Sequence, residues 1–407
     1  MLSPDDAEVV ARDPEVLAMA DLLDPDRAAR RIAAVAAPDW GTVASARVTY
    51  LRYKPGVSLT AAVEAVTPSG VRHGYAVAGT ATTADKLGKP VLRGRQAPGD
   101  FAPCLADDVL LLGPLTADPA LRAARRVVAE PADLVPGAVR TTVLTYKPAR
   151  RLVARLDGAG GPVRVARVQP TGTTLPTAAA ARCWAELGVE VAAVHRPRRG
   201  GRVTLVDFLQ GAHPVDGTEP GLLAEAGALL ARAHRAQPFR GAASADHRAS
   251  ARAAVRSVTA VAPHLGAAAT AVAARLGALL DPRAPGVLVH GDLSVDQVLV
   301  RGRGLALLDL DRVRVDLPAA DAASWFAAEV LAGRWPPDAD PVDVLQPMIR
   351  AYAAGPAGRL TDRLRPLAAL ALLQRAGEPF RLRQGDGEWA ELVAALVQGA
   401  AAQTGRR

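Results

Sequence analysis

Apolar and polar residues alternate in two stretches that follow the β-like runs RVTYLR (47–52) and RTTVLT (140–145), the period of a strand with one buried face. Each run leads first into the same tripeptide, in Tyr53-Lys54-Pro55-Gly56 and Tyr146-Lys147-Pro148-Ala149, and each alternating stretch ends in a turn and another short strand. The turns are TPSG in the first copy and DGAGGP in the second, and alternation broken in this way predicts hairpins. The offset of 93 residues occurs once, which excludes a solenoid. Two similar β-rich units in tandem are expected, with coincidence in an Ala/Arg/Val-rich chain as the alternative.

The second copy continues with a helix expected over Thr173 to Leu187, then two strands, VEVAAVHRP and RVTLVDFLQG, around the turn RPRRGGR. Beyond them the spacing becomes helical over 219–236, about 250–280, and several stretches of 320–400 broken at Gly and Pro. One β-like passage interrupts the helices: VLVH (287–290), QVLV (297–300) and LALLDLD (305–311). The acidic start has helical spacing, with Ser3 or Asp5 available as cap, and lacks the basic-then-apolar layout of a secretory signal. No run of eighteen apolar residues occurs, so no membrane span is expected and the reading is of a soluble, cytoplasmic protein.

At 407 residues the chain exceeds one ordinary core, so two or three subdomains are expected. The formal charge of +8 comes from 49 basic residues, of which only Lys54, Lys86, Lys89 and Lys147 are lysines. The arginines are scattered among alanines and aromatics make up 4%, so no nucleic-acid partner is expected; a nucleotide or anionic substrate suits the charge. Cys104 and Cys183 supply neither a disulfide framework nor metal-ligand spacing.

Chemistry concentrates in 287–311, VLVHGDLSVDQVLVRGRGLALLDLD. Asp292 follows an apolar strand at the mouth of a turn. Gln297 stands five residues on, and after the turn RGRG the strand LALL delivers Asp309, with Asp311 expected on the same strand face. Phosphoryl transfer needs a carboxylate to orient and deprotonate a hydroxyl, and oxygen ligands to hold magnesium against phosphates. This spacing supplies those parts. His234, His195, His213, Trp184 and Trp325 read as packing or capping residues.

The HGD of His290-Gly291-Asp292, the amide at the fifth position and the apolar strand ending in Asp309 resemble the aminoglycoside phosphotransferase and choline kinase superfamily, a distant relative of the protein-kinase layout. DLPAADA (316–322), LLARAHRA (229–236) and VDFLQG (206–211) are similar to further segments of that family, so the resemblance covers roughly 140–400. It implies an α+β, bilobal, protein-kinase-like fold. The expected divisions are a cap subdomain over 1–125, a β-rich nucleotide-binding N-lobe over 126–215 and a mostly helical C-lobe over 216–407. It implies Asp292 as catalytic base, Gln297 and Asp309 as magnesium ligands, and His290, Asp311, Asp316 and Asp321 as supporting residues. Arg167 would meet the phosphates of ATP or GTP, and Phe208, Leu209 and Gln210 would border the base.

Two features depart from the family pattern. Gln297 stands where the family usually has Asn, a feature that, with the long amino-terminal extension, resembles the maltokinase branch. Arg167 occupies the place of the phosphate-gripping lysine, and the early part of the next helix offers no glutamate to pair with it. Two functions follow: a small-molecule kinase acting on a hydroxyl of a sugar, aminoglycoside or related metabolite, or a degenerate kinase fold that binds a nucleotide or partner without turnover.

Overall fold

The Ser3 hydroxyl accepts a hydrogen bond from the Asp6 backbone N–H at 3.1 Å, Pro4 opens the first turn and Arg12 ends the last, so α1 (Pro4–Arg12) is capped and charge-matched at both ends. The computed structural model describes residues 1–93, 95–170, 176–195, 197, 202–281, 286–302, 304–352, 359–384 and 388–406. The start of the helix expected from Thr173, most of the turn RPRRGGR and Arg303 of the turn RGRG lie outside the described residues. The chain divides into two compact units. One comprises Met1–Thr173, His195–Phe208 and Pro379–Trp389; the other comprises Thr174–Val194, Leu209–Glu378 and Ala390–Arg407.

In the first unit, α2 (Met19–Leu23) and α3 (Pro25–Trp40) precede a hairpin of β1 (Ser45–Lys54) and β2 (Ser58–Thr67), followed by β3 (Gly70–Gly79). Then come α4 (Ala84–Arg93), β4 (Cys104–Ala106) and β5 (Leu110–Pro114), completing a sheet of order β1-β2-β3-β5-β4. After α5 (Ala124–Ala129) the pattern recurs as β6 (Ala138–Lys147), β7 (Arg151–Gly158) and β8 (Gly161–Val168). In chain order follow α6 (Thr177–Ala185) and β9 (Glu190–Val191), both counted with the second unit, then β10 (Val194–His195) and β11 (Val203–Asp207), and the second sheet has the order β6-β7-β8-β11-β10.

The two sheets share one topology, and the echo in the sequence has a structural counterpart. Tyr53 pairs with Leu59 and Tyr146 with Leu152, at the same place in each first hairpin. The second hairpins both turn on a glycine at positive φ, Gly70 (+110°) and Gly161 (+113°), where only glycine is at ease. An aspartate staples each tyrosine. Asp13 accepts from the Tyr53 hydroxyl (2.7 Å) and the Gly56 N–H (2.8 Å); Asp118 accepts from the Tyr146 hydroxyl (2.9 Å) and the Ala149 N–H (2.8 Å).

Alternation on β7 buries Leu152, Ala154 and Leu156 completely, and these join Tyr50, Tyr75, Leu111, Leu121 and Val127 in one core spanning both sheets. Each fully buried leucine contributes roughly 1.5–3 kcal/mol. The segment Pro379–Trp389 is pinned to α1 within this unit. Arg383 binds the buried Asp6 through two bonds of 2.8 and 2.7 Å, and the Trp389 indole N–H donates to the same carboxylate at 3.1 Å.

The second unit is mostly helical: α7 (Pro220–Ala233), α8 (His247–Val261), α9 (Gly266–Leu279), then α10 (Ala319–Leu331), α11 (Pro341–Val344), α12 (Gln346–Tyr352), α13 (Leu364–Arg375), α14 (Glu378–Arg381) and α15 (Ala390–Gly405). Of α14 only Glu378 is counted with the second unit; Pro379, Phe380 and Arg381 lie in the segment counted with the first. Between α9 and α10 run β12 (Val287–Val289), β13 (Val298–Arg301), β14 (Gly304–Leu307) and β15 (Arg314–Asp316). β12 pairs antiparallel with β15, and β13 and β14 form a hairpin extended by β9, which lies parallel to β14.

Two expectations need correction. VEVAAVHRP is not one strand: Glu190 and Val191 join β14, with the Glu190 carboxylate ion-paired to Arg301, and only Val194 and His195 join the second sheet. Asp309 and Asp311 do not share a strand face. β14 ends at Leu307, Asp309 takes left-handed dihedrals (φ 53°, ψ 59°), and residues 310–312 form a 3₁₀ turn. A left-handed residue cannot continue a strand. The architecture is α+β, with antiparallel sheets towards the amino terminus and helices towards the carboxyl terminus.

Candidate active site

β12 carries two fully buried residues, Leu288 and Val289, and ends at the HGD turn. The turn is held by a carboxylate on α10. Asp321, wholly buried, accepts the backbone N–H groups of His290 and Gly291, each at 2.8 Å, and the His234 Nε2–H at 3.2 Å. Burial pushes the Asp321 carboxyl up, but the His234 hydrogen bond, the charges of His234 and His290 and the Gly291 N–H outweigh it, and the net shift is downwards. His234, at the end of α7, also bonds the Tyr352 hydroxyl at 3.0 Å. Gly291 sits at φ +81°, and a Cβ there would lie 2.3 Å from both the Arg312 carbonyl oxygen and an Arg314 guanidinium nitrogen. This turn tolerates only glycine.

His290 links the turn to the end of β14. Its Nε2–H donates to the Leu308 carbonyl at 2.6 Å, and its ring lies parallel to Trp184, 6.3 Å between centroids. The β13–β14 hairpin then converts sequence spacing into proximity. Val298 pairs with Leu307, and the Leu308 N–H donates to the Gln297 carbonyl at 2.9 Å, so Gln297 lies across from the residue preceding Asp309. The Gln297 amide nitrogen donates to Asp296 at 3.0 Å. Asp311 accepts the Thr177 hydroxyl at 3.0 Å, tying α6 to the turn after Asp309. Asp316 is buried and fully engaged by the Leu317 N–H and His247 Nε2 (both 2.7 Å) and by Arg314 (3.1 and 2.9 Å).

Asp292 is 37% exposed, and both its oxygens face guanidinium groups: Oδ1 lies 3.3 Å from Arg375, and Oδ2 lies 3.3 Å from Arg312. Neither arginine was singled out from sequence. Among the described residues no three His, Cys, Asp or Glu side chains gather as a metal cage. A carboxylate and an amide on adjoining strand ends nevertheless suit magnesium, which keeps waters and takes most other ligands from substrate phosphates.

The other candidates lie elsewhere in the chain. Arg167 is in β8, between Val153 of β7 and Thr204 of β11, and is 6% exposed, so it is not a solvated strand edge. Phe208 belongs to the first unit, while Leu209 and Gln210 belong to the second and run into a bridge between Ala212 and Val300 of β13.

Comparison with known proteins adds the family. The model of the phosphotransferase enzyme family matches residues 136–367, more than half of the chain. No curated protein matches. Among solved structures, the choline kinase LicA from Streptococcus pneumoniae has a TM-score of 0.50 at 13% identity, covering 68% of this chain and 98% of its own. A choline/ethanolamine kinase family protein from Mesorhizobium loti has 0.47 at 17%, covering 66% and 94%. The macrolide 2'-phosphotransferase MphH from Brachybacterium faecium has 0.43 at 22%, covering 68% and 96%. The LicA likeness bears on the fold alone, while the family match spans both the second sheet and the loops carrying Asp292, Gln297 and Asp309, so the chain belongs to the phosphotransferase enzyme family.

Proposed function

We infer that this phosphotransferase moves the γ-phosphoryl group of ATP or GTP to a hydroxyl of a sugar, aminoglycoside or related metabolite. The observation that carries this reading is the run from Asp292 through Gln297 to Asp309, tied by the His290–Leu308 and Gln297–Leu308 bonds. Asp292 orients the acceptor hydroxyl and takes its proton as the bond from that oxygen to the γ-phosphorus forms and the bond to the β–γ bridging oxygen breaks, which releases the nucleoside diphosphate. Gln297 and Asp309 would hold magnesium, which when bound offsets phosphate charge. Asp321 and His290 brace the turn; Asp311 and Asp316 hold the segments after it. Arg167 meets the phosphates, and Phe208, Leu209 and Gln210 border the base. In this reading residues 126–215 bind the nucleotide, 216–407 carry the catalytic and metal loops, and 1–125 form a cap.

Arginine at 167, in place of the family's lysine, favours a second reading: nucleotide binding without turnover. Thermal stability with ATP or GTP, with and without magnesium, tests both together with a coupled assay of nucleotide turnover. A ligand at about 100 times its Kd stabilises by roughly 2.7 kcal/mol. The kinase reading expects a magnesium-dependent rise in Tm that Asp309→Asn abolishes, together with turnover. A rise without turnover supports the degenerate reading, and no rise with either nucleotide, in folded protein, refutes the kinase reading and leaves a degenerate fold that binds a protein partner.

A further inference from the structure

Arg375 ends α13, and its guanidinium is shared among three oxygens: Asp292 Oδ1 (3.3 Å), Ser324 Oγ (3.4 Å) and Glu378 Oε2 (3.4 Å). It is 15% exposed, against 68% for Arg312 on the other Asp292 oxygen. Ser324 lies on α10 three residues after Asp321, and residues three apart share a helix face. One face of α10 therefore holds the catalytic turn through Asp321 and, one turn further on, the arginine that meets Asp292. Arg375 also closes a helix whose carboxyl-terminal dipole favours a cation.

The charge around Asp292 is consequently unusual for a site that would receive an ammonium group. Arg375 and Arg312 balance Asp292 and Glu378, and the carboxylates there are already partnered. A cationic acceptor would bring its charge beside two guanidinium groups, and like charges at close range in a partly desolvated site disfavour binding.

We propose that Arg375 is a positioning and specificity-determining residue of the transfer reaction: it fixes the Asp292 carboxylate towards the acceptor hydroxyl and, with Arg312, restricts acceptors to those without a positive charge next to that hydroxyl. This rests on the kinase reading above. Arg375 donates and retains its protons throughout; the acceptor proton goes to Asp292.

The test is nucleoside diphosphate release by the full chain with magnesium-ATP and magnesium-GTP, using water alone and then matched acceptors that differ only in an amino group, such as glucose and glucosamine. Arg375→Gln is expected to lower kcat on the order of tenfold to hundredfold, the cost of a misplaced reacting group, with the nucleotide KM unchanged. It should also narrow the gap in tolerance between the neutral and amino members of each pair, read as turnover or as competition with the water reaction. Arg375→Lys should keep the selectivity and recover only part of kcat. Ser324→Ala, which withdraws one anchor without touching Asp292, should give a smaller fall in kcat of the same kind and guards against a misfolded Arg375 variant. Unchanged kcat in a folded Arg375→Gln, or an amino acceptor preferred by the wild type, overturns the proposal. A wild type that turns over neither nucleotide sinks the kinase reading itself, and the proposal with it.

Discussion

Asp321→Asn is the sharpest perturbation of the His290-Gly291-Asp292 turn. The wild-type carboxylate is completely buried and receives three donors, two backbone N–H groups at 2.8 Å and His234 at 3.2 Å. Asparagine keeps the shape but offers one acceptor oxygen. Its NH₂ must face either the Gly291 N–H or the His290 and His234 donors, leaving a buried N–H opposite another. Hydrogen bonds to a charged group contribute about 1.5–3 kcal/mol each, and removing one partner of a buried pair costs about 3–5 kcal/mol; the latter range is expected here. Urea unfolding should show it as a lower midpoint at an unchanged slope. Hydrogen exchange should show lost protection at the His290 and Gly291 amides.

The pH dependence of this variant has a definite sign. The folded carboxyl titrates below the ordinary aspartate range, so its stabilisation is complete above about pH 4 and is lost as pH falls through the folded value. The gap between wild type and Asp321→Asn should therefore be constant near neutrality and close in acid. A cost under about 1 kcal/mol, or unchanged exchange at residues 290 and 291, would refute the bracing argument.

Three further outcomes follow. Gly291→Ala places a Cβ 2.3 Å from the Arg312 carbonyl oxygen at a φ of +81°, and turnover should fall below detection while circular dichroism stays near wild type. Tyr146→Phe should cost about 1–2 kcal/mol in thermal unfolding, because Asp118, whose carboxyl burial already pushes upwards, loses one of its donors; Tyr53→Phe, at the less buried staple, should cost less. Arg383→Met strands the buried Asp6 carboxylate and should lower the stability of the first unit by about 3–5 kcal/mol, measured by urea unfolding.

The candidate site was legible where local register does the positioning. Asp292, Gln297 and Asp309 lie within one turn and one hairpin, so spacing along the chain becomes proximity once Val298 pairs with Leu307. The conformation of Asp309 was not legible, because nothing in LALLDLD distinguishes a strand that continues from one that ends in a left-handed residue. Arg375 was invisible for a different reason. It lies 83 residues from Asp292, and no pattern separates it from the other arginines of an arginine-rich chain. The tandem β units were legible through Tyr-Lys-Pro, but their staples were not. Asp13 lies 40 residues before Tyr53 and Asp118 lies 28 before Tyr146, so no fixed offset finds both.

The duplicated sheet separates what folding requires from what the second copy does. Both copies keep the tyrosine, its aspartate staple, the lysine after it and the turning glycine. Lys147 lies over the Tyr50 ring at 5.5 Å, so the second-copy lysine serves the packing between the sheets. Register carried from the first hairpin matches Arg167, paired with Val153 and Thr204, to Val77, paired with Thr60 and Leu111. Val77 packs against the shared core. An arginine buried at that register needs partners for its guanidinium, a demand that valine does not make. Only the second copy falls within the residues matched by the family. The position that packs as Val77 in the first copy thus carries a guanidinium in the copy that the family matches, the difference that the proposed contact of Arg167 with phosphate would require.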